Sequence, residues 1–282
     1  MSAVSMKVAY LGPSGTFTED ALREAAGDGS FEPQPEATIY DAILAVERGD
    51  ADRALVPFEN SIEGAVRSSL DALALEAEAV TIVGEFDFPI QVNLIARREL
   101  PLGRIAAVLS HPQASAQCAR FLREELSDAE VREASSTADA VRRVSESDEP
   151  WAALGARSAA SAYGCTVLRE AVQDPHDNVT RFVWIAPRGT RAEGRGPWKT
   201  SLVFAELGED HPGALVKALL EFSQRNVNLT RIESRPLRQG LGRYMFFVDL
   251  EGSIEDEAVA AAVEGLRGKA ESVRLLGSYP TG

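Results

Sequence analysis

The stretch MKVAYLGPSGTFTE, residues 6–19, decides the fold. Met6 to Gly12 is a short apolar run closed by Gly-Pro, and Thr16-Phe-Thr-Glu19 has the spacing of a helix capping box. Together they predict a strand feeding a helix. The unit recurs: Thr38-Ile-Tyr-Asp41 opens a second predicted helix that Gly49 ends, Arg53 to Pro57 reads as a strand, and Ile62 to Leu75 as a helix. This alternation predicts an α/β fold. Between Val80 and Ala96 the apolar residues become dense and β-branched, which suits long strands and marks the start of a second subdomain. Strand-and-helix pairs follow at Ile105 to Leu126, Val131 to Val144 and Trp151 to Tyr163. The run Val179 to Ala186 is then placed to return to the first subdomain.

The segment PRGTRAEGRGP, Pro187 to Pro197, has turn residues and charge but no apolar period, so it reads as a linker. Beyond it come a strand (Ser201 to Leu207), a helix (Pro212 to Arg225), two strands (Leu229 to Arg235, Arg243 to Leu250), a helix (Ile254 to Leu266) and a strand (Ser272 to Gly277). That is the ferredoxin-like order βαββαβ. Leu215, Leu219 and Phe222 in the first helix, and Val259, Val263 and Leu266 in the second, form the expected sheet-facing stripes.

With 282 residues the chain has room for two domains or one large one, and 45% hydrophobic with 26% charged residues is an ordinary globular composition. The formal charge of −14 argues against a nucleic-acid or anionic-membrane surface, both of which need clustered positive charge. Small molecules are the expected partners. Cys118 and Cys165 lack metal-type spacing, and His111, His176 and His211 lie far apart, so neither a zinc site nor a disulfide framework is expected. No apolar run reaches the length of a membrane span and no secretory-type core precedes Lys7, so the expected location is cytoplasmic.

Five expected helix starts in the first part are crowded with hydroxyls, amides and glycines: Ser14-Gly15-Thr16, Glu59-Asn60-Ser61, Ser110 to Gln113, Ser135-Ser136-Thr137 and Asn178 to Arg181. One such terminus is an ordinary cap. Several on one α/β frame can aim free N–H groups at an anion, which lets an acidic protein hold a carboxylate locally.

Read in order, GPSGTF (Gly12 to Phe17), VPFENSIEG.V (Val56 to Val66), LSHPQASAQC (Leu109 to Cys118), SSTADAV (Ser135 to Val141) and NVTRF (Asn178 to Phe182) resemble the core segments of prephenate dehydratase. HPGALVKAL (His211 to Leu219) and ESRP (Glu233 to Pro236) resemble the two signatures of the ACT regulatory domain. The resemblance implies a two-subdomain catalytic part, like a periplasmic binding protein, over 1–190. Its subdomains would be about 1–78 with 179–190, and 79–178. An ACT domain over 199–282 would follow. It also implies loss of water and carbon dioxide from prephenate to give phenylpyruvate, with no metal or organic cofactor.

Hydroxide leaves slowly, so a donor must hydrogen-bond the ring oxygen as the carboxylate departs, and the resemblance puts Thr180 in that role. Glu59, Asn60, Ser110 and Gln117 are carried over as catalytic positions, and Ser14, Gly15, Thr16, Ser61, Gly64, Thr137, Arg181 and Phe182 as substrate-binding ones. Arg181 can pair a substrate carboxylate or serve as a structural salt-bridge partner. His111 reads as a structural histidine before Pro112, and Cys118 as core and not nucleophile. Where many relatives carry a glutamate before the Ser-Thr pair this chain has Ser135, with Glu133 two residues earlier. The chain starts directly with the dehydratase strand, so no chorismate mutase activity is expected.

Gly213, Ala214 and Leu215 at a helix start can offer N–H groups to an amino-acid carboxylate, and with Glu233, Ser234, Arg235 and Pro236 at a strand end the ACT resemblance implies that they form a regulatory L-phenylalanine site. ACT pairing implies a dimer or tetramer. An amino-acid sensor without catalysis and an arogenate dehydratase are the rival readings.

Overall fold

The computed structural model describes residues 5–27, 29–174, 177–208 and 212–281; His176 and His211, the latter the first residue of the HPGALVKAL run, lie outside them. The chain opens with strand β1 (Met6–Leu11), helix α1 (Phe17–Ala26), β2 (Phe31–Glu36), α2 (Ile39–Arg48), β3 (Arg53–Asn60), β4 (Gly64–Ala65), α3 (Arg67–Leu75) and β5 (Val80–Pro89). It continues with β6 (Asn93–Ala96), β7 (Ala107–Ser110), α4 (Pro112–Gln117), α5 (Ala119–Glu125), β8 (Glu130–Glu133), α6 (Thr137–Ser145), β9 (Trp151–Gly155), α7 (Arg157–Ala162), β10 (Thr166–Arg169) and β11 (Val179–Pro187). Residues 188–197 form no helix or strand. Then come β12 (Trp198–Ala205), α8 (Ala214–Ser223), β13 (Leu229–Pro236), β14 (Tyr244–Glu251), α9 (Glu257–Arg267) and β15 (Ser272–Pro280). This is an α/β fold ending in βαββαβ.

The caps read from the sequence form as expected. The Thr16 hydroxyl accepts the Glu19 N–H at 3.3 Å, and the Glu19 carboxylate reaches back to the Gly15 N–H at 2.7 Å. Thr38 caps α2 through the Asp41 N–H at 3.0 Å. Two expectations need correction. The helix read over Ile62 to Leu75 starts only at Arg67, because Asn60 takes the N–H groups of Ile62 and Glu63 on its side-chain oxygen, both at 3.0 Å, and Gly64 turns the chain at φ 77°. Strand β2, FEPQPE, was not foreseen; two of its residues are prolines, which lack the N–H a ladder needs and suit an edge.

The chain forms two compact units: one of residues up to Ala42 with Glu59–Gly64 and Asp87–Thr180, the other of Ile43–Phe58, Ala65–Phe86 and Arg181 onward. In the first, β1 and β2 pair in parallel, and a five-stranded sheet runs β10-β6-β9-β7-β8. Strand alternation splits its core cleanly. Leu94, Ala96, Val108, Ala152 and Leu154 bury one face with Cys118, while Ile95, Ala107, Leu109 and Ala153 bury the other with Val141, Val144 and Ala159 from α6 and α7.

In the second unit the sheet order is β13-β14-β12-β15-β5-β11-β3. Helices α8 and α9 cover Leu202, Phe204, Val248 and Leu250 with Phe222, Val259, Val263 and Leu266. Both expected helix stripes therefore face the core, with Leu215 and Leu219 packed at its margin. β15 joins β5 in parallel through Gly277 opposite Ile82, where a Cβ on Gly277 would run into the Ile82 carbonyl. Among the described residues no helix is long and apolar enough to cross a membrane.

Candidate active site

A cavity of about 310 Å³ lies within the first unit, in the size range of small-molecule sites. Three helix N-termini reach its wall: Thr16 caps α1, His111 caps α4 by accepting the Gln113 N–H on Nδ1 at 3.3 Å, and Ser136 caps α6 by accepting the Asp139 N–H at 3.0 Å. Two of the five polar runs read as helix starts are strand ends instead, since Glu59-Asn60 closes β3 and Val179 to Arg181 opens β11. These strand ends bring Asn60 and Thr180 to the cavity wall.

Asn60 is almost wholly buried and lines the cavity. Its Oδ1 accepts two backbone N–H groups, which only an oxygen can do, so its amide orientation is fixed. Nδ2 must then donate, and it lies 2.8 Å from Asn178 Oδ1 and 2.9 Å from Thr180 Oγ1. With its oxygen so engaged, Asn178 donates from Nδ2 to Gln117 Oε1 at 3.0 Å. The direction set by two backbone amides thus passes through Asn60 and Asn178. It ends at Gln117, which also lines the cavity, and at Thr180, whose oxygen is occupied as an acceptor while its own proton stays available. Ser61 ties the two strand ends: its N–H donates to the Val179 carbonyl at 2.8 Å and its hydroxyl accepts the Val179 N–H at 3.0 Å.

The structure brings Thr180, Asn60, Gln117, Thr16 and Thr137 to this one cavity. Glu59, Ser110, Ser14, Gly15, Ser61, Gly64, Arg181 and Phe182 do not line it. Alternation along β3 turns the Glu59 side chain away from the face Asn60 uses. Ser110 is fully buried and donates to the His111 carbonyl at 3.0 Å, Ser14 hydrogen-bonds Tyr10 at 3.3 Å, and Phe182 is core. Arg181 lies against Glu85 and Asp249 in the second unit.

Ser135 lines the cavity with its hydroxyl on Asp139 at 3.0 Å, whereas Glu133 ends β8 exposed. Asn178, Ser136 and Gln113 also line the cavity; they fall within the five polar runs but receive no individual role from the resemblance, and no sequence signal assigns the apolar wall of Phe17, Ile90 and Val92 to the site. Asn178 stands two positions before Thr180, inside a run the sequence had already flagged. Burial pushes the Cys118 thiol up to about 12, which keeps it neutral. Among the described residues no group of three or more metal-ligating side chains forms.

In the C-terminal part Gly213 holds the left-handed turn (φ 85°) ahead of Ala214 and Leu215, the first residues of α8. Glu233, Ser234, Arg235 and Pro236 close β13 in register with Phe247, Phe246, Met245 and Tyr244. Arg235 grips Asp71 of α3 with Nε at 3.0 Å and a terminal nitrogen at 2.7 Å, and Arg238 adds a third contact at 2.5 Å.

A polar cavity ringed by helix N-termini, with a fixed hydroxyl donor and a ferredoxin-like module further along the chain, is the equipment of a regulated α/β enzyme of small anionic metabolites. Comparison with known proteins narrows the class. The family model for prephenate dehydratase matches residues 8–190 and that for the ACT domain residues 202–268, so this chain belongs to the prephenate dehydratase family. A prephenate dehydratase of Mycobacterium marinum is 39% identical over 98% of this chain and 89% of its own. The solved prephenate dehydratase of Arthrobacter aurescens in complex with L-Phe is 41% identical, with a TM-score of 0.88, covering 97% of this chain and 90% of that one. The structure of GqqA, described as a novel type of quorum quenching acylase, is 30% identical with a TM-score of 0.85 over 98% of both chains.

Proposed function

We propose that this cavity converts prephenate to phenylpyruvate, carbon dioxide and water. The observation that carries the reading is the one-way amide relay ending at Thr180. Asn60 occupies the threonine oxygen as donor, so the Thr180 proton is directed to the ring oxygen that leaves. As the ring carboxylate departs as carbon dioxide, its electron pair aromatises the ring and expels the oxygen, which becomes water with a proton shared from Thr180 and replenished from solvent. A positioned donor of this kind contributes typically about 10² to 10⁴ in rate. The N-termini of α1 and α6 suit the substrate carboxylates, with Ser136 and Thr137 offering hydroxyls, while the Thr16 proton goes to the Leu11 carbonyl at 3.1 Å. Asn60, Gln117 and Thr180 are the proposed catalytic residues. Arg181 and Phe182 are given supporting places on β11 rather than substrate contacts.

An acylase reading draws no comparable support. Cys118 is held neutral by burial, and the Ser110 hydroxyl is spent on a backbone carbonyl. Nucleophilic acyl transfer needs an activated nucleophile beside its base.

We further propose a functional boundary near residue 195, with residues 1–190 as the dehydratase and 199–282 as an ACT domain that binds L-phenylalanine. Gly213 to Leu215 would hold its carboxylate, and Glu233 and Ser234 its amino group. β13 is an edge strand, and Val216 and Leu220 of α8 with Ile232 of β13 expose apolar surface. An open edge beside apolar side chains supports edge-to-edge pairing with a second copy. A cytoplasmic location follows from the biosynthetic role.

The test is a metal-free assay of phenylpyruvate formation from prephenate, with arogenate as control, in the presence and absence of L-phenylalanine. Product that falls with L-phenylalanine is expected. A folded protein that binds L-phenylalanine but makes no product from either substrate would leave a sensor.

A further inference from the structure

Arg181 follows Thr180 on β11, and alternation turns its side chain to the opposite face. There it enters a buried ion network in the second unit. One terminal nitrogen lies 3.4 Å from Glu85 and the other 3.3 Å from Asp249, which is wholly buried. The same Asp249 oxygen accepts Arg231 Nε at 2.9 Å, and its other oxygen takes the Ser201 hydroxyl at 2.7 Å. Ser201 in turn shares a hydrogen bond with Tyr279 at 2.8 Å, and Lys199 sits on Glu85 at 2.6 Å. Both guanidinium groups lie over Phe58, Arg231 at 4.6 Å and Arg181 at 5.8 Å from the ring centre. Phe58 stands two residues before Asn60. Each strand that carries a donor-relay residue is therefore held within two residues of it, β11 by Asp249 at Arg181 and β3 by Arg231 over Phe58. Both of these lie within the region that matches the ACT domain.

We propose that Arg181 is a positioning residue: its pair with Asp249 fixes β11 so that Thr180 stays under the Asn60 donor, and it is the contact through which the ACT region sets turnover. The inference rests on the dehydratase reading above. Asp249 is one carboxylate shared by two cations, so a gain by Arg231 is a loss for Arg181. Arg231 stands two residues before Glu233, so a ligand that moves the end of β13 alters that share. Buried ions are screened little by salt and find no replacement water, which makes the exchange strong enough to be felt one residue away. A ligand acts this way only to the extent that it binds the two arrangements differently, and the coupling is then reciprocal.

The test compares the full-length wild type with Arg181→Lys and Asp249→Asn, measuring kcat and KM for prephenate, L-phenylalanine binding by calorimetry, and thermal melting on the same preparations. Arg181→Lys keeps the charge but cannot span both carboxylates, so it carries the test if Asp249→Asn does not fold. The expected result is a kcat at least tenfold lower with KM within threefold. L-Phenylalanine should still bind within threefold, but its effect on turnover should shrink at least fivefold. Tyr279→Phe, which removes a hydroxyl from the network's far side, should lower the melting temperature while leaving both kinetic readouts in place. A KM that rises more than tenfold at unchanged kcat would make Arg181 a substrate contact and overturn the proposal. So would an L-phenylalanine effect of wild-type size in both variants. A folded wild type that forms no phenylpyruvate would defeat the dehydratase reading itself, and this proposal with it.

Discussion

The Asn60 amide nitrogen lies 2.9 Å from the Thr180 hydroxyl oxygen, and Asn60 can only donate there because its own oxygen is held by the Ile62 and Glu63 N–H groups. This one-way geometry leaves the threonine proton for another acceptor, which in the mechanism proposed above is the leaving ring oxygen. Asn60→Asp replaces the donor by an acceptor, so the Thr180 proton would turn inward to the new carboxylate. We expect kcat to fall by about 10² to 10⁴, the range for loss of a positioned acid, with KM changed far less. Steady-state kinetics on prephenate decides it, and a variant within fivefold of wild-type kcat would refute the relay.

Thr180 itself gives a sharper comparison. Thr180→Ser keeps the hydroxyl at the same place and should retain turnover to within about tenfold, whereas Thr180→Val keeps the shape and loses the proton. The valine variant also leaves the buried Asn60 amide without one acceptor, at a cost of about 1–3 kcal/mol in stability. Near-normal turnover by Thr180→Val in single-turnover experiments would remove threonine from the mechanism.

What the sequence reveals and conceals about this site follows from where each interaction lies along the chain. The Thr16 cap closes within four residues, and the core alternation at Leu94, Ile95 and Ala96 is a period-two pattern, so both are legible locally. Strand β2 is hidden because its prolines argue against any strand, and only the β1 edge it pairs with makes it one. The helix start at Arg67 is hidden by Asn60, which takes the backbone donors that an earlier turn would have used. Asn178 is 118 residues from Asn60, and no local pattern announces that contact. Arg181 shows the limit of a motif: Thr-Arg-Phe marks a functional strand, but alternation sends neighbouring side chains to opposite faces.

The Asp71–Arg235 clamp sets a pH dependence whose sign can be worked out. Burial alone would raise the Asp71 carboxyl, but hydrogen bonds and charge from Arg235 and Arg238 hold it below its ordinary value. A carboxylate with a lowered folded-state pKa contributes stability above its unfolded pKa, about 3.9, and loses it as pH falls through the lower folded value. Asp71→Asn should therefore cost about 1.5–3 kcal/mol at pH 7, as expected for losing hydrogen bonds to a charged group. The difference from wild type should shrink as the medium is acidified below about pH 4. Urea unfolding across that range measures it, and a constant difference would mean that the clamp does not titrate as described.

Gly277 has the most direct steric prediction. β15 meets β5 in parallel at Gly277 and Ile82, and a Cβ on Gly277 would stand 2.8 Å from the Ile82 Cβ as well as in its carbonyl. The obstacle is largely backbone, so no side-chain rotation relieves it. Gly277→Ala must part the two strands or shift one of them, and overpacking of this kind costs about 1–3 kcal/mol. Because β15 lies beside β12 in the C-terminal module and β5 carries Glu85 of the ion network, parting them should also loosen the hold on Arg181. The expected phenotype is a lower melting temperature with a blunted L-phenylalanine effect on turnover. Calorimetric melting and inhibition curves on the same sample test both parts, and a Gly277→Ala variant that melts and responds like wild type would show that the strands are not joined as described.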